Sequence, residues 1–143
     1  METLGLYFED FPVGKTGRSV GKTVTLTDIQ FFKEMSGWPD YVISGKQAAP
    51  EMQITMISAG LMTRQGFYEG TLVGIINNDW RYAMPVFAGD TLKISYVVAD
   101  AIPTKKGNKG IIVFKIRTYN QRNETVAEGE MKTMMLTRVN KPS

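Results

Sequence analysis

The chain of 143 residues contains no histidine and no cysteine. The absence of cysteine excludes a disulfide framework, a zinc–thiolate site and a cysteine nucleophile. Without these two residue types a transition-metal site would need a cluster of carboxylates, and the sequence shows none. We therefore expect no metal site. A chain without cysteine also fits the reducing environment of the cytoplasm.

Long apolar runs are missing as well. No stretch reaches the roughly 18 apolar residues that a membrane-spanning helix needs. The opening residues, METLGLYFEDFPVG, carry acidic side chains and lack the apolar run of a signal peptide. We therefore expect a cytoplasmic protein that does not interact with a membrane. The length fits a single domain over residues 1–143.

The excess of positive charge is small, with a net charge of +3, and the basic residues are scattered. The densest basic cluster lies in the sequence TKKGNKG and contains Lys105, Lys106 and Lys109. No aromatic residues interleave with these lysines, so we do not expect nucleic-acid binding. The cluster is either a solvated turn or a docking point for a phosphorylated ligand such as coenzyme A.

The first part of the chain alternates between strand and helix signals. Residues 18–26 are rich in β-branched side chains and predict a strand. Thr27, with Gln30 three residues later, has the pattern of a capping box, and Gly37 is a typical helix end. Residues 38–49 contain proline and glycine and are interpreted as a loop.

A second helix is predicted to begin at Pro50, which suits the first helical position. Its residues are apolar or small on nearly every face as far as Met62. A helix that is apolar all round is usually buried, and this one is too short to cross a membrane. We therefore expect it to be wrapped by the rest of the protein.

From Leu72 onward the apolar period changes to two, which predicts strands at about 72–84, 90–101, 109–120 and 124–138. Short turns between them favour an antiparallel meander. The predicted fold class is α+β: a long curved antiparallel sheet wrapped around a central hydrophobic helix, the arrangement called a hotdog fold. Such a sheet leaves an open edge, so we expect dimerisation.

Three segments carry a resemblance to a known family. They are YFEDFPVGKTGRSVGKTVTLTDIQFFKEMSG at 7–37, the helix entry AAPEMQITMISAGLM, and RYAMPVFAGDTLKI at 81–94. The last two are similar to I-A-P-G and R-F-x-x-P-V-F-P-G-D-T-L of the MaoC-like acyl-CoA hydratases and dehydratases. The resemblance implies an (R)-specific enoyl-CoA hydratase or dehydratase of fatty acid metabolism. Its substrate would be a thioester of coenzyme A or acyl-carrier protein, with no separate cofactor.

The chain departs from that family where the family does its chemistry. There the S-G at the end of the short helix is followed by D-x-N-P-x-H, whose aspartate and histidine activate water. Here Ser36–Gly37 is followed by WPDYVISGKQAAPE, with Trp38 in place of the aspartate and no histidine in the chain. The family's catalytic pair therefore cannot be assigned to this sequence.

Two carboxylates are the candidate catalytic residues. Glu51 replaces the glycine of I-A-P-G, beside which the resemblance places the thioester carbonyl. It is either a first-turn glutamate that complements the helix dipole or a general base or nucleophile, as in some hotdog thioesterases. Asp40 is either a turn residue after a proline or a relocated acid–base residue.

Five further residues are candidates for substrate binding. Trp38, Tyr41 and Met52, with Pro50 at the helix entry, either pack together or line a pocket for an apolar acyl group. Asn78 lies in a polar run within an apolar strand and either marks a bulge or binds a ligand.

Three hypotheses follow for function. The first is an enzyme acting on acyl thioesters, either a hydratase or a thioesterase that uses Glu51 or Asp40. The second is a non-catalytic subunit, in a homodimer, a higher homo-oligomer or a heteromer with an active MaoC-like partner. A third, a regulator that senses acyl-CoA, is disfavoured because no helix-turn-helix is appended.

Overall fold

We analysed a computed structural model of the chain, which describes residues 4–138. A single turn of 3-10 helix at Phe8–Asp10 precedes the main elements. The helices and strands are β1 Thr16–Arg18, β2 Lys22–Thr23, α1 Leu26–Ser36, β3 Val42–Ile43, β4 Lys46–Gln47, α2 Glu51–Thr63, β5 Leu72–Tyr82, β6 Thr91–Pro103, β7 Lys109–Tyr119 and β8 Thr125–Leu136.

The large sheet has the strand order β1–β6–β7–β8–β5, with β2 also paired to β6, and its pairings are antiparallel. The four long strands lie close to their predicted positions. The strand predicted at 18–26 is wrong, because β1 and β2 are separate. Between them a side-chain hydrogen bond links the chain to β6, because the Ser19 hydroxyl accepts the N–H of Ile94.

The segment 38–49, predicted as a loop, contains the small hairpin β3–β4. Its turn residues Ser44 and Gly45 have φ values of 51° and 78°. Two successive left-handed residues match the twist of a two-residue hairpin turn. The hairpin brings the segment after α1 back towards the start of α2.

Helix α1 begins two residues earlier than predicted, because Thr25 rather than Thr27 is its N-cap. The Thr25 hydroxyl accepts the N–H of Asp28 at 3.0 Å, and the Asp28 carboxylate accepts the N–H of Thr25 at 2.9 Å. Lys22 adds an ion pair to Asp28 at 2.9 Å. Gly37 ends the helix in the left-handed conformation, as predicted.

Helix α2 packs one side onto the sheet, where Ile54, Leu61 and Met62 are buried. On the other side of the helix Met52 and Met56 are 51% and 46% exposed in the single chain. A single curved sheet covers only one side of a helix, so the other side is left open. Within residues 4–138, no helix is long and apolar enough to cross a membrane.

Two clusters of buried side chains hold the helices on the sheet. The first lies under the C-terminal half of α2 and is centred on Phe114, with Phe67 and Tyr96 among its members. The second lies under the start of α2 and includes Ile29 of α1 and Ile54 of α2. The second cluster positions the N-terminus of α2 against α1, and this end of α2 carries the candidate site.

Candidate functional site

The N-terminus of α2 presents free backbone donors. The buried Pro50 is its N-cap, and the Pro50 carbonyl accepts the N–H groups of Gln53 and Ile54 at 2.9 and 3.2 Å. Across the described part of the chain, the N–H groups of Glu51 and Met52 have no hydrogen-bond acceptor. Free N–H groups and the positive end of the helix dipole suit the oxygen of a carbonyl that gains negative charge.

Glu51 stands at this end of the helix and is held by a tyrosine. The Tyr41 hydroxyl donates a hydrogen bond to Oε2 of Glu51 at 2.7 Å. This bond to the carboxylate, with some loss of solvation, raises the pKa of Tyr41, so the phenol keeps its proton at neutral pH. Within residues 4–138, Oε1 of Glu51 accepts no hydrogen bond. The carboxylate is thus oriented by one oxygen and open at the other.

Tyr41 owes its position to the β3–β4 hairpin. It directly precedes β3, and its carbonyl accepts the N–H of Ala48 at 2.8 Å. That bond closes the hairpin and places Tyr41 beside the start of α2. From the sequence, Tyr41 is predicted only as a packing or pocket residue. No local pattern joins it to Glu51, ten residues further along the chain.

A second pair of hydroxyl groups lies one helical turn further along α2. Oγ1 of Thr55 and the hydroxyl of Tyr82 are 2.5 Å apart, and both residues are half-buried. Thr55 follows Glu51 by four residues, so the two side chains share one face of the helix. Tyr82 ends β5, which fixes this face of α2 beside the edge strand of the sheet.

Trp38 and Asp40 belong instead to the end of α1. Asp40 forms an ion pair with Lys33, and its side chain is 64% exposed. Trp38 packs against Phe32 with 6.4 Å between ring centroids. In the described structure no hydrogen bond or ion pair joins Asp40 to Glu51. The two candidate carboxylates therefore do not form a pair.

Asn78 lies on β5, where its side-chain oxygen accepts the indole N–H of Trp80 at 3.1 Å. The pairing of β5 with β8 shifts between Ile75 and Asn77, so the polar run marks a β-bulge. Asn78 remains exposed at the open edge of the sheet.

The lysine cluster lies at the other end of the molecule from Glu51. Lys105 and Lys106 are exposed in the β6–β7 turn, and Lys109 begins β7 opposite the last residue of β8. The last residue of β8, Leu136, is in turn bonded to Thr71, which follows the C-terminal end of α2. The thirteen residues of α2 span about 20 Å. Within one chain the structure does not bring these lysines to Glu51.

A large groove of about 910 Å³ lies on the face of the sheet opposite α2. Along β7 and β8 the residues that line the groove alternate with buried residues such as Phe114 and Met131, which face the helix. Seven charged residues line it: Arg18, Asp79, Arg81, Lys115, Arg117, Glu128 and Glu130. No residue of α2 contributes to it. The groove is therefore separate from the site at Glu51, and its mixed charges are typical of a solvated sheet face.

The chain was compared with known proteins. No family model matches it. An uncharacterised Bacillus subtilis protein, YdeM, is 26% identical, and the match covers 89% of this chain and 96% of that protein. A monoamine oxidase regulatory protein from an Archaeoglobus species is 26% identical and has a TM-score of 0.83, covering 97% of this chain and 99% of its own. A MaoC-like dehydratase from Rhodospirillum rubrum is 24% identical with a TM-score of 0.77, covering 94% and 99%.

A heteromeric assembly shares the fold as well. The HadBC complex of Mycobacterium tuberculosis, a 3R-hydroxyacyl-ACP dehydratase, contains a chain that is 16% identical, with a TM-score of 0.68. The match covers 85% of this chain and 96% of that one. Structure and comparisons together confirm the predicted resemblance: the chain has the hotdog fold of the MaoC-like dehydratases.

Proposed function

We propose that this protein binds acyl thioesters, of coenzyme A or of acyl-carrier protein, at the N-terminus of α2 and acts on them there. The thioester oxygen accepts hydrogen bonds from the N–H groups of Glu51 and Met52, and the Glu51 carboxylate activates water. The observation that carries the proposal is the Tyr41–Glu51 hydrogen bond beside these free N–H groups. The MaoC-like hotdog fold supports the choice of substrate class.

The residues present favour hydrolysis of the thioester. Glu51 takes a proton from water, and the water oxygen forms a bond to the carbonyl carbon. The carbon–sulfur bond then breaks, and the sulfur leaves with the proton returned by Glu51. One carboxylate suffices for this cycle, with the helix N–H groups stabilising the oxyanion. Hydration of an enoyl thioester relies in the family on an aspartate–histidine pair, and this chain has no histidine.

The places of the remaining candidate residues in the fold indicate which part of the thioester each would contact. Pro50 and Met52 flank the free N–H groups, so they are the residues that would contact the acyl group first. Trp38 packs on the end of α1, so it would contact only an acyl group that extends that far. The lysine cluster at Lys105, Lys106 and Lys109 would meet coenzyme A phosphates only from a second copy, because it lies at the far end of α2.

A second candidate is a non-catalytic subunit of a heteromeric dehydratase. The observation that favours it is the segment after α1, where Asp40 is bound to Lys33 and Trp38 packs on Phe32. With Asp40 engaged by Lys33 and no histidine in the chain, this segment does not present the family's aspartate–histidine pair. Such a subunit would bind a thioester and leave it intact, in the cytoplasm and beside an active partner.

The test is a panel of enoyl and saturated acyl-CoA thioesters incubated with purified protein and read by mass spectrometry. Release of free coenzyme A supports hydrolysis at Glu51. Gain of one water by enoyl substrates alone would assign hydration instead. If every thioester stays intact but binds, the second candidate is favoured. If none binds, the proposal is wrong.

We also propose that the protein forms a dimer through β5. Among residues 4–138 this strand pairs with β8 on one side only, and its other edge is open. Val73, Ile75 and Ile76 on it are 46% to 51% exposed, although each is a large apolar side chain. Met56 is exposed on α2, which the Thr55–Tyr82 bond holds beside β5. A second copy paired along β5 would cover the open edge and this side of α2 together.

Replacing Ile76 by lysine is expected to abolish this dimer. The change puts one cation on each copy at the edge where the strands meet, and an edge lysine disfavours strand pairing. Size-exclusion chromatography with light scattering should show twice the 16.0 kDa chain mass for the unmodified protein and the single mass for the variant.

Val20→Lys is the matched control, because Val20 is 62% exposed in the link between β1 and β2, away from β5. It should leave the mass unchanged. A variant at Ile76 that retains the doubled mass would show that the copies meet elsewhere.

A further inference from the structure

We propose that Thr55 and Tyr82 form a second polar subsite of the same site, which selects acyl groups with an oxygen far from the thioester carbon. The inference rests on the proposed function, since it assumes that the thioester carbonyl binds at Glu51 and Met52. It adds a substrate class that neither the fold nor the family resemblance specifies.

The two hydroxyl groups lie along the path that an acyl chain would take from the helix N-terminus. Thr55 lies on the face of α2 that carries Glu51, one turn further from the N-terminus. Four residues advance an α-helix by about 6 Å along its axis. An acyl chain that begins at the free N–H groups and runs along this face therefore passes Thr55 and Tyr82.

The hydroxyl pair has one more hydrogen than its own bond uses. Two hydroxyl groups carry two protons, and the bond between Thr55 and Tyr82 uses only one of them. Neither hydroxyl has another partner in the part of the chain that the structure describes. One O–H therefore stays available at a half-buried position. An oxygen on the ligand that accepts this hydrogen bond would satisfy it and contribute to selectivity.

The carbonyl oxygen lies beyond the helix N-terminus by one hydrogen bond of about 3 Å, so it is roughly 9 Å from Thr55 along the axis. An oxygen on the second or third carbon lies too near the carbonyl to reach that far. An oxygen several bonds further along the chain can reach Thr55. Met52 and Met56 lie about 100° around the helix axis from Glu51 and Thr55, so they are on the neighbouring face and do not line this path.

The test compares hexanoyl-CoA, 3-hydroxyhexanoyl-CoA and 6-hydroxyhexanoyl-CoA. The quantity measured is kcat/KM for release of coenzyme A, or Kd by calorimetry where turnover is absent. The unmodified protein should prefer the 6-hydroxy compound over hexanoyl-CoA by up to about tenfold, the range of one neutral hydrogen bond. Tyr82→Phe and Thr55→Val should each reduce that preference and change hexanoyl-CoA little.

Tyr119→Phe is the matched control, since Tyr119 ends β7 and contacts Arg117 rather than α2. It should leave the preference intact. Equal ratios in the unmodified protein and the Tyr82 variant, or a preference for the 3-hydroxy compound, would overturn the subsite alone. Failure of all three thioesters to bind or react would overturn the proposed function and the subsite with it. Each of the two substitutions tests the subsite by itself, so poor folding of one leaves the other decisive.

Discussion

Replacing Glu51 by glutamine is expected to lower thioester turnover by a factor of about 10²–10⁴ while changing substrate binding only a few-fold. Glutamine keeps the size of the side chain, and its amide oxygen can still accept the bond from Tyr41. It cannot accept a proton from water, so the activation step is lost. The measurement is kcat and KM for the best thioester of the panel, with binding followed separately by calorimetry.

Three variants make this result specific. Glu34→Gln removes an exposed carboxylate of α1 and should leave kcat unchanged. Asp40→Asn removes the partner of Lys33 and should also leave it unchanged. Tyr41→Phe removes the bond that orients the carboxylate, so kcat should fall less than for Glu51→Gln while KM stays similar. Full activity of Glu51→Gln would show that Glu51 is not the base, and loss in Asp40→Asn would assign that role to Asp40.

Replacing Phe114 by alanine is expected to lower the free energy of unfolding by about 3–5 kcal/mol. The Phe114 side chain is fully buried in β7. Its ring is surrounded by four others, with centroids 5.6 to 6.3 Å away: Phe11, Phe67, Tyr68 and Tyr96. Alanine would leave a cavity that these interlocked rings can fill only partly. Chemical denaturation with linear extrapolation measures the change.

Phe31→Ala is the control for this experiment, because Phe31 lies on α1 and is 65% exposed. Its effect should stay within about 0.5 kcal/mol, as for most surface substitutions. A loss below about 1 kcal/mol for Phe114→Ala would mean that the aromatic cluster is not the main support of the sheet. The cluster lies under the C-terminal half of α2, so folded Phe114→Ala protein should still bind thioester at Glu51.

Several elements could be predicted because their signals are local. The long strands β6, β7 and β8 follow from apolar residues at every second position and from the glycine or asparagine turns between them. Gly37 marks the end of α1 because a left-handed residue suits glycine. Other elements could not be predicted locally. Thr25 and Thr27 are both plausible N-caps, and the bonds of Asp28 to Thr25 and Lys22 favour the first.

The sequence by itself predicted the hotdog fold and the apolar helix α2 and showed that the chain has no histidine, because periodicity and composition can be seen along the chain. Only the tertiary structure decided which groups meet. Tyr41 reaches Glu51, and Tyr82 reaches Thr55, through a hairpin turn and a strand edge that bring distant positions together. The exposure of Met52 and Met56 was decided in the same way, since one curved sheet covers only one side of a helix.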